Sequence, residues 1–130
     1  QACPGTAVCR FGQGDSLGLA KRITEEIQAK KPMPAKTKIA VSGCKLNCAE
    51  SYVRDIGAFS GKKGWTVIVG GNSGGRPRIG DVIAENLSDD EAFDLIVKCV
   101  DYYEANAKGK QRMPRFIESI GIEEFKKAVL

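Results

Sequence analysis

Four of the five cysteines in this chain of 130 residues stand in two close pairs. Cys3 and Cys9 are separated by five residues in CPGTAVC, and Cys44 and Cys48 by three in SGCKLNC. Filling an apolar core does not call for paired thiols among glycines and small residues, because a core takes cysteine singly, as a small hydrophobe. Paired thiols with a common ligand instead draw distant stretches of chain to one point and so fix which loops must meet. The pattern reads as one soft-metal site. In a reducing cytosol it marks a metal or redox centre more often than a structural disulfide framework, and the odd cysteine count points the same way.

The chain has no histidine, which removes Ser-His and Cys-His nucleophile pairs, histidine-liganded zinc and a proximal histidine for haem. A haem-type iron bound here would take a cysteine. The net charge of +4 is mild, and the basic residues are scattered among sixteen acids rather than gathered with aromatics. Nucleic acid is therefore not an expected partner. Neither a membrane span nor a signal peptide is indicated, so the expected setting is cytoplasmic, away from membranes. With 42% apolar residues the chain has enough for one core, and residues 1–130 are expected to form a single domain. Because it starts at Gln1 rather than methionine, it reads as a processed product or a fragment with an upstream portion or companion subunit missing.

Along the chain, residues 2–14 read as a loop wrapped around something. A helix follows, capped by Asp15 or Ser16, with Leu19, Ala20, Ile23 and Ile27 on one face and Lys21, Arg22, Glu25 and Glu26 outside; it stops before the segment 32–34. Residues 37–41 alternate as a short strand, after which Ser42 and Gly43 deliver Cys44 at the strand's end. Residues 48–54 allow a short helix, which would put Cys48 near an N-terminus where the dipole and free N–H groups favour a thiolate. Residues 55–60 and 65–69 read as a hairpin turned at Gly61-Lys62-Lys63-Gly64. A basic loop, 70–78, is followed by residues 79–87 leading into the next helix. That helix opens on the capping box Ser88-Asp89-Asp90-Glu91 and carries Phe93, Ile96, Val97, Val100 and Tyr103 or Glu104 at helical spacing. Pro114 opens a last helical segment, broken at Gly121 and continued to Leu130. The order implies an α+β domain, a small mixed β-sheet covered by helices.

Three occupants fit the thiol quartet. An iron–sulfur cube needs four thiolates approaching from different directions, which suits loops bent by glycine and proline. Structural zinc prefers two to four residues between paired ligands; the second pair meets that rule and the gap from Cys3 to Cys9 exceeds it. Redox thiols or disulfides are the third reading.

The segments ACPGTAVC, KIAVSGCKLNCAES, DIGAFSG, GGNSGGRPR and AENLSDDE, in that order, resemble the iron–sulfur/sirohaem domain of the nitrite and sulfite reductase family. The likeness runs from residue 2 to about residue 91 and more loosely to the last helix. It lies closer to small assimilatory-type sulfite reductases and NAD(P)H-linked nitrite reductases than to the large plant-type enzymes. The resemblance implies that Cys3, Cys9, Cys44 and Cys48 ligate a [4Fe-4S] cluster. It further implies that Cys48 is the axial ligand of a sirohaem iron, so that one sulfur joins the two centres and takes the catalytic role. The implied activity is a six-electron reduction of sulfite to sulfide or of nitrite to ammonia, with electrons from a ferredoxin or a flavoprotein. In this family the basic residues that grip the substrate lie mostly in an N-terminal, ferredoxin-like portion, which has no counterpart here. A [4Fe-4S] electron-transfer module without sirohaem and a zinc-stabilised binding domain are the alternatives.

Around the ligands, Thr6 and Asn47 are candidates to donate hydrogen bonds to cluster or axial sulfur, although both residue types also cap turns. By resemblance the 70–78 loop lies close to the metal centres, where Asn72, Arg76 and Arg78 would reach sirohaem carboxylates or cluster sulfurs; otherwise it is a basic surface turn. Gly70 and Gly75 have the Walker A gap, but Arg76-Pro77 replaces Lys-Ser/Thr, against nucleotide binding. Cys99, Trp65, Tyr102 and Tyr103 read as packing residues.

Overall fold

A computed structural model describes residues 1–28 and 33–130. Four strands, β1 (Ile39–Ser42), β2 (Ile56–Gly61), β3 (Gly64–Val69) and β4 (Asp81–Leu87), form one sheet in the order β1-β2-β3-β4. β1 and β2 run parallel and the other pairs antiparallel. Among the described residues four helices accompany the sheet: α1 (Ser16–Gln28), α2 (Asp89–Asn106), α3 (Met113–Ile120) and α4 (Ile122–Val129). This is the α+β arrangement expected. Pro32, where the first helix was expected to stop, lies outside the described residues.

The local reasons match the residues. At the start of α1 the Asp15 carboxylate accepts the Gly18 N–H at 3.0 Å. Both halves of the capping box on α2 are present, Glu91 N–H to Ser88 Oγ and Ser88 N–H to the Glu91 carboxylate. Gly121, at φ 88°, separates α3 from α4.

One face of the sheet presents Val41, Ile56, Ala58, Trp65, Val67, Val69 and Ile83 to the helices, where they pack with Ile96, Val100, Phe116 and Phe125 in one core. Cys99 and Tyr103 belong to this core, fully buried; Trp65 is buried there too and donates Nε1–H to Asp89 at 2.6 Å. The opposite face is covered by the connection between β1 and β2. Buried Ser51 bonds to Ser42 Oγ (2.9 Å) and to the Ala58 carbonyl (3.0 Å), and Tyr52 packs on Phe59 at 5.7 Å between ring centroids. That connection is the segment carrying Cys44 and Cys48.

β4 corrects the sequence reading, which ran residues 79–87 into the helix. Its register against β3 shifts twice: Trp65 pairs Leu87, Val67 pairs Ala84, and Ile68 pairs Val82. Each shift inserts a residue on β4, Asn86 takes φ 57°, and only Ile83 is buried. A bulged edge strand of this kind loses the two-residue alternation by which strands are recognised.

Candidate metal centre

The first thiol loop is fastened to the C-terminal end of β1. Ala2 bridges to Val41, and the Cys3 N–H donates to the Val41 carbonyl at 3.2 Å. A single 3₁₀ turn, Gly5–Ala7, then bends the chain so that the Cys9 N–H reaches the Gly5 carbonyl at 2.8 Å. Gln13 and Gly14 donate to the Gly43 carbonyl at 2.7 and 3.1 Å, closing the first loop onto the second. The approach needs glycine at two points. A Cβ on Gly5, at φ +57°, would lie 2.3 Å from Ser16 Oγ, and one on Gly43 would lie 2.7 Å from the Gly5 Cα.

In the second loop Asn47 N–H donates to the Cys44 carbonyl (3.1 Å) and Glu50 N–H to the Asn47 carbonyl (2.8 Å). Asn47 and Glu50 are left-handed, at φ 54° and 63°, so the chain coils tightly about its two cysteines. The same residues end any helix there. Residues 48–54 hold only a 3₁₀ turn, Ser51–Val53, with left-handed Glu50 before it. The expected helix N-terminus at Cys48 is therefore absent, and no helix dipole acts on its thiol.

Cys3, Cys9, Cys44 and Cys48 all line one cavity of about 150 Å³, walled by Phe11 and Leu46. All are free thiols; Cys3 and Cys44 are half-buried, Cys9 and Cys48 exposed. Burial of Cys3 favours its thiol, but the Gly43 N–H at 3.0 Å, the Ser16 hydroxyl and the Gly5 N–H outweigh it and lower its pKa. Among the described residues no three cysteine, aspartate or glutamate side chains converge on a single-ion position. A zinc ion with bonds of about 2.3 Å needs its sulfurs about 3.8 Å apart. A cube holds its thiolates at separate corners, farther apart than a single ion requires.

Asn47, half-buried, does not line the cavity; its amide N–H₂ donates to the Lys45 carbonyl at 3.0 Å and its Oδ1 is buried with no partner among the described residues. Thr6 is exposed on the 3₁₀ turn and does not line the cavity. Asn72, Arg76 and Arg78 are not brought to the thiols. The cavity lies at the hairpin end of the sheet, whereas the 70–78 loop leaves the other end of β3, roughly 20 Å away for six residues at about 3.3 Å each. Asn72 bonds to the Arg76 carbonyl and the Gly74 N–H, and Arg78 to the Gly70 carbonyl and Asp81, so both organise their own loop; Arg76 is exposed. Strand direction thus sets this loop at the opposite end of the sheet from the thiols. Sequence reasoning missed Ser16 as more than a cap: fully buried, it donates to the Cys3 carbonyl at 2.7 Å and lies 3.7 Å from its sulfur.

A family model described as the nitrite and sulphite reductase 4Fe-4S domain matches residues 1–130. The assimilatory-type sulfite reductase of Nitratidesulfovibrio vulgaris is 56% identical over 130 residues, which are 100% of this chain and 59% of that protein. The NAD(P)H nitrite reductase of Emericella nidulans is 39% identical over 132 residues, 100% of this chain and 12% of that one. The chain thus spans about three-fifths of the first relative and a small part of the second. Among solved structures, dissimilatory sulfite reductase I superposes with a TM-score of 0.84 at 12% identity, over 98% of this chain and 51% of that one. The NirA protein of Mycobacterium tuberculosis gives 0.79 at 16%, over 98% and 25%. At such identities these two likenesses concern the fold.

Proposed function

Because the chain belongs to the nitrite and sulphite reductase 4Fe-4S domain family, we propose that it is the redox core of a sirohaem-dependent sulfite reductase. Its four paired thiols hold the [4Fe-4S] cluster. One observation carries the assignment: four free thiols from two loops, pinned together at Gly43, line one small cavity. The cluster fits the donor set, which is all sulfur.

Each residue then has a task. Cys3, with its pKa lowered by Gly43, Ser16 and Gly5, offers a ready thiolate, and the same N–H donor would stabilise the electron-rich reduced cluster. Cys9 and Cys48 line the cavity and are exposed, and Cys48 would be the thiolate that also holds the sirohaem. Asn47 supplies a buried oxygen free to accept a donor from the bound macrocycle or from a neighbouring domain. Phe11 and Leu46 give the cavity an apolar wall. Sirohaem, when bound, supplies the iron on which the oxyanion is reduced. Sulfite is favoured over nitrite because the relative sharing 56% of residues over the whole chain is named for sulfite.

The test is the metal and chromophore content of the full-length protein purified without oxygen. About four irons and four acid-labile sulfides per cluster are expected, with sirohaem bands in the red and near-ultraviolet. A brown protein without those bands would reduce the reading to an electron-transfer module. A colourless protein with about one zinc per chain would overturn it.

A further inference from the structure

Ser16 opens α1 without capping it, since the Asp15 carboxylate already accepts the Gly18 N–H. Its own N–H donates to the Gly14 carbonyl at 3.0 Å, and the residue is fully buried against the first thiol loop. A hydroxyl shut away from water must place its one proton on a protein acceptor. Two lie within reach and both belong to Cys3, the carbonyl oxygen at 2.7 Å and the sulfur at 3.7 Å. Gly5 makes the approach possible, because a Cβ there would lie 2.3 Å from the Ser16 oxygen. Among the described residues, Cys3 is the one thiol of the four with hydrogen bonds at its sulfur; besides Ser16 the donors are the backbone N–H groups of Gly43, at 3.0 Å, and Gly5. The donors differ in kind. A backbone N–H is fixed by its peptide plane, whereas a serine hydroxyl turns about its C–O bond.

We propose that the Ser16 hydroxyl follows the charge on Cys3: it turns from the carbonyl towards the sulfur when the cluster takes up an electron, and so raises the cluster's reduction potential. The proposal rests on the cluster assignment above. As a free thiol, Cys3 can donate its S–H to Ser16 Oγ while the hydroxyl serves the carbonyl. An iron-bound sulfur carries no proton and only accepts. Reduction makes that sulfur more negative, and a hydrogen bond to an ionised acceptor is about twice as strong as one between neutral groups. The carbonyl stays neutral throughout, so reduction moves the balance between the two acceptors in one direction. Alanine is close to serine in size and Asp15 supplies the cap, so neither packing nor capping calls for a hydroxyl at this position. In the electron balance the cluster gains one electron and an external one-electron reductant loses it. The proton stays on Ser16 Oγ and no covalent bond changes.

The experiment uses the full-length protein purified without oxygen, the variants Ser16→Ala and Ser16→Thr, and dithionite as the reductant. Iron is counted first. The cluster's potential is then read by electron paramagnetic resonance across a redox titration, and exchangeable protons near the reduced cluster by electron–nuclear double resonance in H₂O and D₂O. Ser16→Ala is expected to keep its iron and to lose one exchangeable proton coupling. Its one-electron reduction should be about fivefold less favourable, the usual worth of one hydrogen bond, or about 40 mV more negative at about 59 mV per tenfold. Ser16→Thr keeps the hydroxyl and should restore both readings. In the parent that coupling should vanish within minutes of transfer to D₂O, because a hydroxyl exchanges faster than N–H groups held in hydrogen bonds. Iron-loaded Ser16→Ala with the parent's potential would overturn the proposal. So would an iron-loaded threonine variant that behaves as alanine, which would make the effect one of packing. If Ser16→Ala loses its iron the parent decides: a rapidly exchanging proton coupled to the reduced cluster supports the proposal, and its absence overturns it. Iron-free parent protein would instead remove the cluster assignment, which the metal count shows before any potential is read.

Discussion

Replacing Arg112 by alanine tests how the chain is anchored as it returns from the thiol loops. Arg112, at the N-cap of α3, donates from its guanidinium to Asp55 Oδ2 at 2.8 Å; its side chain is 34% exposed and that of Asp55 is 0% exposed. The same carboxylate oxygen accepts the Lys38 N–H at 2.8 Å, and Oδ1 has no partner. Asp55 thereby joins the run-in to β1, the start of β2 and the head of α3. Without the guanidinium, a buried carboxylate is left with one hydrogen bond. Breaking a buried pair from one side costs about 3–5 kcal/mol, and because water reaches Arg112 the lower end, about 3 kcal/mol, applies. With a urea m-value of about 1.5 kcal/mol/M, the midpoint should fall by about 2 M. Asp55→Asn removes the charge and leaves an oxygen for Lys38, so the double variant Asp55→Asn/Arg112→Ala should be more stable than Arg112→Ala by about 1–2 kcal/mol. Far-UV circular dichroism across urea titrations of the three variants reads both numbers. A midpoint shift below about 0.5 M for Arg112→Ala, or no recovery in the double variant, would refute the claim that this pair neutralises a buried charge.

Cys48→Ser should lose sirohaem and disturb the cluster together, whereas Cys99→Val should keep full iron content; metal analysis and the visible spectrum check both. Gly43→Ala places a Cβ 2.7 Å from the Gly5 Cα, backbone against backbone, and should part the two thiol loops, so that iron per chain falls while the far-UV spectrum stays that of the parent. Burial raises the Cys99 pKa from its ordinary 9.0, so above about pH 9 the folded state holds a proton that the unfolded chain has released. Stability from this group is fully present below that pH and falls as pH rises, by up to about 1.4 kcal/mol per unit; Cys99→Val should flatten the slope between about pH 9 and 10, seen in urea midpoints. Tyr103, raised by burial and by the Asp55 charge, adds its own loss only at higher pH.

What could be read from the sequence was what local chemistry dictates. Ser88 to Glu91 announced α2 because a capping box is satisfied within four residues, and Gly121 announced the break between α3 and α4 because its φ is open to glycine alone. The hairpin followed from WTVIV and its glycine-flanked turn. The thiol quartet was legible because a ligand set leaves its spacing in the chain. What escaped depends on distant partners. β4 is a strand only because β3 holds it, and its two register shifts erased the pattern. Glu50 gave no sign of its left-handed φ, and that φ denies Cys48 a helix. The 70–78 loop has the composition of a ligand cradle, but the direction of β3 carries it to the far end of the sheet.

The thiol end and the stabilising core are largely separate parts of the molecule. The core lies between the sheet and α2 to α4, around Trp65, Ile96, Cys99 and Phe116, and none of the four paired cysteines belongs to it. The thiol loops are held instead by backbone bonds to one another, Gln13 and Gly14 on Gly43, Cys3 on Val41, and beneath them by the buried pair Ser42 and Ser51. Metal therefore does not have to organise the fold, unlike small zinc domains, in which binding energy is folding energy. Hydrogen bonds and tight glycine contact between the two loops offset the entropy of bringing residues 3 and 44 together. A site built this way can expose Cys9 and Cys48 at its mouth without unfolding. Exposure of Cys48 in turn leaves its sulfur open to a group bound outside the cavity, as the proposed shared thiolate requires.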